Sequence, residues 1–173
     1  MKILFAASEA LPFIASGGLA DVAGALPKAL CENGVDCRVI LPLYSGIKQQ
    51  WRERMTYLTS FSVPLGWRRQ YCGVFTAEAN GVTYYFVDNE YYFKRDGLYG
   101  HYDDGERFAF FSRAILETLC HIDFTPDILH LNDWQTALAA VYLNLYYRGD
   151  VRFTFMKTVF TIHNIQYQGK FGE

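Results

Sequence analysis

The opening of the chain constrains the fold more than any other stretch. An apolar run, Ile3-Leu4-Phe5-Ala6-Ala7, leads to a glycine turn at Ser16-Gly17-Gly18. A helical pattern follows to Leu30, and then a second apolar run, Cys37-Arg38-Val39-Ile40-Leu41. Leu19, Val22, Ala23, Leu26, Pro27 and Leu30 recur at helical spacing, and Gly34 supplies the stop. Strand, helix and strand in this order form a βαβ unit, whose crossover favours a parallel sheet with helices packed on it. A buried strand feeding glycines at the mouth of a helix offers backbone N–H groups and the positive end of the helix dipole to an anionic or sugar-bearing ligand. The spacing is not the G-x-G-x-x-G of dinucleotide folds, so ordinary turn geometry remains open for this segment by itself.

Residues 55–93 change character. Tyr71-Cys72-Gly73-Val74-Phe75-Thr76 and Val82-Thr83-Tyr84-Tyr85-Phe86-Val87 flank Asn80-Gly81, a strong short-range hairpin signal. This predicts an antiparallel insertion or a sheet edge. Residues 91–105 show no period and read as a surface loop of the kind that carries ligand contacts. Residues 106–121 return to helical spacing through Phe108, Phe111, Ile115 and Leu119. Ile128-Leu129-His130-Leu131 reads as a strand, residues 134–147 as a helix, and Thr158-Val159-Phe160-Thr161-Ile162 as a further strand. The fold class expected is α/β: a mostly parallel sheet flanked by helices, with an antiparallel hairpin region.

At 173 residues and 51% hydrophobic content, the chain can form one domain that buries roughly 70% of its unfolded surface. A formal net charge of −2 with dispersed ionic residues leaves no electrostatic footprint for nucleic acid or an anionic membrane. No window approaches the ~20 apolar residues of a membrane span, and the N-terminus lacks a secretory signal, so a soluble cytoplasmic protein is expected. Cys31, Cys37, Cys72 and Cys120 have neither C-x-x-C spacing nor clustered histidines, which argues against zinc and redox motifs and for inert thiols.

Polar groups follow three strands: Ser16-Gly17-Gly18, Asn132-Asp133 and His163-Asn164. Ligands of open α/β sheets bind outside the carboxyl ends of the strands, so these sites are expected to converge on one crevice. Asp133 also suits the N-cap of the helix that follows, and the two roles are compatible. His163 is open to a structural or a ligand-contacting role, whereas His130, inside its strand, reads as a satisfied core histidine. His101 and His121 read as surface residues. A paired-carboxylate hydrolase could draw on Glu9, Asp21 or Asp133, whereas no nucleophile elbow or P-loop is present.

The chain resembles the starch/glycogen synthase family. The matching residues are Ala7-Ser8-Glu9-Ala10 with Pro12-Phe13, Gly17-Gly18-Leu19-Ala20-Asp21-Val22, and Leu26-Pro27-Lys28-Ala29-Leu30. Downstream they are Asp96-Gly97-Leu98-Tyr99-Gly100, Glu106-Arg107-Phe108-Ala109-Phe110-Phe111-Ser112, His130-Leu131-Asn132-Asp133-Trp134-Gln135 and Thr161-Ile162-His163-Asn164. The resemblance implies that residues 1–173 are the N-terminal, acceptor-side Rossmann-like domain of a two-domain GT-B glycosyltransferase, with the C-terminal nucleotide-binding domain outside this chain. It implies glucose transfer from a nucleotide-glucose donor, ADP-glucose by preference, to the end of an α-1,4-glucan. The anomeric configuration is retained, and neither cofactor nor metal is required.

By the same resemblance Ser16, Gly17 and Gly18 approach the donor, His163 contacts the transferred glucose, and Asp21, Tyr99, Asp133 and Asn164 line the acceptor side. The family commonly has lysine where Ala15 stands, so that ammonium is missing here. The fragment alone is expected to be inactive. Two rival readings are a non-catalytic glucan-binding module and a dinucleotide-binding oxidoreductase domain; the latter is disfavoured by the glycine spacing and by Pro42-Leu43-Tyr44 where an acidic residue would end the second strand.

Overall fold

The computed structural model describes residues 1–171. The chain runs β1 (Lys2–Ala6), α1 (Gly18–Glu32), β2 (Asp36–Pro42), the short α2 (Gln49–Arg52), β3 (Thr56–Leu65), β4 (Arg68–Ala79) and β5 (Val82–Asp88). It continues through the short α3 (Glu90–Phe93), α4 (Asp104–His121), β6 (Ile128–Asn132), α5 (Trp134–Tyr142), a π-helical turn (Leu143–Tyr147) and β7 (Lys157–Thr161). All seven strands belong to one sheet of order β3-β4-β5-β2-β1-β6-β7.

β1 owes its central place to a run buried on both faces: Leu4, Phe5 and Ala6 are inaccessible, as strands covered by helices on each side require. It pairs in parallel with β2 on one side and β6 on the other. The chain therefore winds outward from β1 to β2, and later re-enters beside β1 on the opposite flank. The carboxyl ends of β1 and β6 thus form a topological switch point, where open sheets of this type bind ligands. β7 extends the parallel part from β6 and is an edge strand with no buried residue.

The hairpin signal holds. Asn80 and Gly81 adopt positive φ of 53° and 76°, the conformation a two-residue turn between right-twisted strands needs. Its strands are not an insertion: β5 pairs in parallel with β2, so the hairpin and β3 extend the main sheet as its antiparallel edge. β3 had no separate signal, because Thr, Ser and Pro break up its apolar pattern. Helix α1 runs to Glu32 with Gly34 at φ 79°, and Pro27 lies buried inside it, where one i→i−4 hydrogen bond cannot form.

Three expectations need correction. The segment 91–105 is not a solvated loop, since Tyr92 and Phe93 are fully buried and Asp104 already begins α4. Aromatic packing against Phe110 and Phe111 outweighs the missing period. His101 is half-buried, with Nε2 enclosed and without a hydrogen-bond partner among the described residues. The helix expected over 134–147 is α-helical only to Tyr142 and closes in the π turn. His121 is exposed, as expected, and stacks on Phe61 at 4.2 Å.

Candidate active site

Three strand ends open onto one cleft of about 900 Å³. Ser16, Gly17, Gly18, Tyr99, Asp133, His163 and Asn164 all line it, together with Glu9 and Trp134. Asp21 does not; it sits exposed in the first turn of α1.

The glycine turn forms the N-terminal mouth of α1, with Gly17 as extended N-cap and open space where a Gly18 side chain would be. Its first N–H is not bare. The Ser16 amide donates to the carboxylate of Glu9, a residue only 3% exposed. Burial is the largest influence on that carboxyl and raises its pKa above the ordinary value. Contacts from Ser16 and Gly17 pull the other way, and the nearby Asp133 adds repulsion.

Beside the turn, the residue 98–100 segment is held from α4. Arg107 is completely buried and donates to the Tyr92 and Leu98 carbonyl oxygens at 2.7 and 3.0 Å. Asp104 accepts from Arg107 through Oδ1 at 2.6 Å and from the Gly100 amide through Oδ2 at 2.7 Å. Tyr99 is thereby fixed as a wall, its hydroxyl 2.7 Å from Ser8 Oγ and its pKa driven up by burial.

At the β6 end, Asn132 orients its amide by donating Nδ2 to the Ala6 and His130 carbonyls at 3.0 and 3.3 Å. Its Oδ1 therefore accepts, and the His163 ring nitrogen 2.9 Å away, Nε2, is the donor. Nδ1 is the ring nitrogen that Asn132 leaves open to the cleft. Asp133 stands at the N-cap position of α5, yet its carboxylate makes no capping bond; Oδ1 instead accepts the His163 amide at 2.6 Å. The backbone there is strained, at φ 58° and ψ 178°, a region used almost only by glycine.

His130 is hydrogen-bonded as expected but half-buried rather than in the core: Nε2 lies 2.8 Å from Thr161 Oγ1, its ring packs edge-on against Phe5, and partial burial lowers its pKa. Asn164 Oδ1 accepts the Gln166 amide at 3.0 Å, folding the segment after β7 back over the cleft. Gly169, at φ 61°, rests on Trp134 so closely that a Cβ would lie 2.4 Å from the ring.

The sequence placed Asn132 among the polar groups at the strand ends without its contact to His163, gave no separate role to Trp134, and offered Glu9 only as a possible hydrolytic carboxylate. The available signal was position: all three follow or end a buried strand on the cleft side. Among the described residues no group of three or more His, Cys, Asp or Glu is arranged to hold a metal ion.

Fold and site together define an α/β protein with a polar ligand cleft at a topological switch point of its sheet. The family model for the starch synthase catalytic domain matches residues 2–173, and the chain belongs to that family. Family membership sets aside the oxidoreductase reading. A glycogen synthase of Bacillus cereus (strain B4264) is 58% identical over 171 residues, covering 99% of this chain and 36% of the relative. That of Geobacillus stearothermophilus is 57% identical, covering 99% and 35%. The chain thus spans about a third of the length of these relatives. Among solved structures, the catalytic domain of Starch Synthase IV from Arabidopsis thaliana, bound to ADP and acarbose, superposes with a TM-score of 0.87. It is 31% identical, over 97% of this chain and 34% of that one.

Proposed function

We propose that residues 1–173 form the N-terminal, acceptor-side Rossmann-like domain of a two-domain GT-B enzyme. That enzyme transfers glucose from ADP-glucose to the non-reducing end of an α-1,4-glucan with retention. The observation that carries the reading is the convergence of the glycine turn, Asp133 and His163 on one cleft at the switch point. The Arabidopsis structure, which holds ADP and acarbose, supports both ligand classes.

In this reading the mouth of α1 faces the donor diphosphate, with Gly17 and Gly18 permitting close approach and the helix dipole favouring negative charge. His163 orients the transferred glucose through Nδ1, the nitrogen left over by Asn132. Tyr99 and Asn164 shape the acceptor side, Asp133 acts there chiefly by holding the His163 backbone, and Asp21 meets the acceptor only at the rim. No cationic side chain stands at Ala15, so charge on the departing diphosphate is met from the second domain. The site is completed between two domains, and this chain alone therefore transfers no glucose. A cytoplasmic setting belongs to the same proposal and is supported by four free cysteines, among them Cys37, whose thiol pKa burial pushes up to about 12.

The test is incorporation of labelled glucose from ADP-glucose into glycogen, by this chain and by a synthase of the relatives' length that carries it. The long form is expected to be active and the chain silent. His163→Ala in the long form should lower kcat by about 100-fold, the order expected for one lost transition-state contact. Silence of the long form with both ADP-glucose and UDP-glucose, alongside retained malto-oligosaccharide binding, would replace this reading with a glucan-binding module.

A further inference from the structure

Glu9 lines the cleft, is 3% exposed, and has no ion-pair partner among the described residues. A carboxylate so enclosed needs its oxygens satisfied, because a buried unpaired charge is costly. The group that meets this need is the glycine turn: the Ser16 amide donates to Glu9, and Gly17 lies directly over it, its would-be Cβ 3.8 Å from Oε1. The carboxylate thus occupies, from beneath, the same positive mouth of α1 that an external anion would approach from the cleft.

We propose that Glu9 is a positioning residue for the nucleotide-sugar donor, acting through the backbone of Ser16 and Gly17 rather than by contact with the reacting atoms. The proposal rests on the donor role of the glycine turn given above. What Glu9 supplies is an acceptor oxygen at a fixed place. Its negative charge is incidental to that task and opposes a diphosphate close by.

This separation of oxygen from charge can be tested. In the long synthase, Glu9→Gln keeps an oxygen within reach of the Ser16 amide and removes the charge, whereas Glu9→Ala removes both. Glu9→Gln is expected to raise the KM for ADP-glucose several-fold less than Glu9→Ala does, because the acceptor oxygen for the Ser16 amide is kept. Glu9→Ala is expected to raise the donor KM about tenfold, the equivalent of one lost hydrogen bond, with the glucan KM changed less than twofold. A kcat lost equally in both variants would overturn the proposal, because the carboxylate would then be acting in the chemistry. An unchanged donor KM in Glu9→Ala would overturn it too.

A second readout does not depend on activity. In this chain, amide exchange at Ser16 should accelerate in Glu9→Ala and remain slow in Glu9→Gln. If the parent synthase transfers no glucose, the functional reading has failed while the Ser16 amide still decides the tether. If the parent is active and Ser16 exchanges alike in all three proteins, the functional reading stands and this inference does not.

Discussion

Two charged side chains are buried beside the cleft, and they meet their partners in different ways. Arg107, wholly buried, has an opposite charge 2.6 Å away in Asp104 and two carbonyl oxygens besides. Its rings of contact are Phe93 and Phe108, with the guanidinium carbon 5.6 and 5.3 Å from their centroids. Glu9 has no cation near it among the described residues, only the amides and hydroxyl of a turn, and Asp133 repels it. Arg107 is therefore architecture: its charge is neutralised inside one helical turn and fixes the Tyr99 wall. Glu9 is adjustable, a carboxyl with raised proton affinity beneath the turn that faces the ligand. The difference shows how one cleft combines a rigid wall with a floor whose charge responds to pH.

The largest loss is expected when the rigid wall loses its counter-ion. Asp104→Ala leaves Arg107 buried and unpaired and should cost about 3–5 kcal/mol in a denaturant titration, whereas adding Arg107→Met should recover most of that loss. Glu9→Ala should cost less, about 1–2 kcal/mol, because one amide loses its acceptor while an unfavourable burial of charge is relieved. Equal losses at the two sites would mean that both charges are held with the same strength.

Asp133 sharpens it further. Asp133→Gly forfeits the bond to the His163 amide, worth about 1.5–3 kcal/mol, but relieves backbone strain of about 1–3 kcal/mol. Net stability should stay within about 1 kcal/mol of the parent, while amide exchange at His163 quickens.

The smallest effect is in pH dependence. Glu9 holds its proton more tightly folded than unfolded, so the stability it contributes is complete below about 4.5 and drains away as pH rises through its raised folded value. The groups facing it are Ser16, Gly17 and Asp133, with Tyr44 and Tyr99 behind. His130 runs the opposite way: its folded pKa lies below 6.5, so its contribution is present above 6.5 and is lost as pH falls through the folded value. Glu9→Gln should therefore steepen the loss of stability on acidification, measured as urea midpoints between about pH 4 and 7.

Much of this arrangement was legible in the residues. The βαβ opening, the Asn80-Gly81 turn and the strand around Leu129 each carry a local signal strong enough to survive folding. The convergence of Ser16, Asp133 and His163 followed from one rule about strand ends. β3 was hidden because its Ser and Thr residues blur the period. The 91–105 segment misled because Tyr92 and Phe93 are buried against Tyr44 and the Phe110-Phe111 face of α4, contacts that its own residues do not signal.

By itself, then, the sequence determined which segments become strands and helices, and which polar groups stand at strand ends, since those are matters of period and neighbouring residues. Only the tertiary structure decided what each polar group does there. Asp133 turns from capping α5 to holding His163, Asn132 settles which imidazole nitrogen is left over, and Glu9 closes on Ser16. Each outcome depends on which donor lies within about 3 Å, and that is set by the packing of strands far apart in the chain.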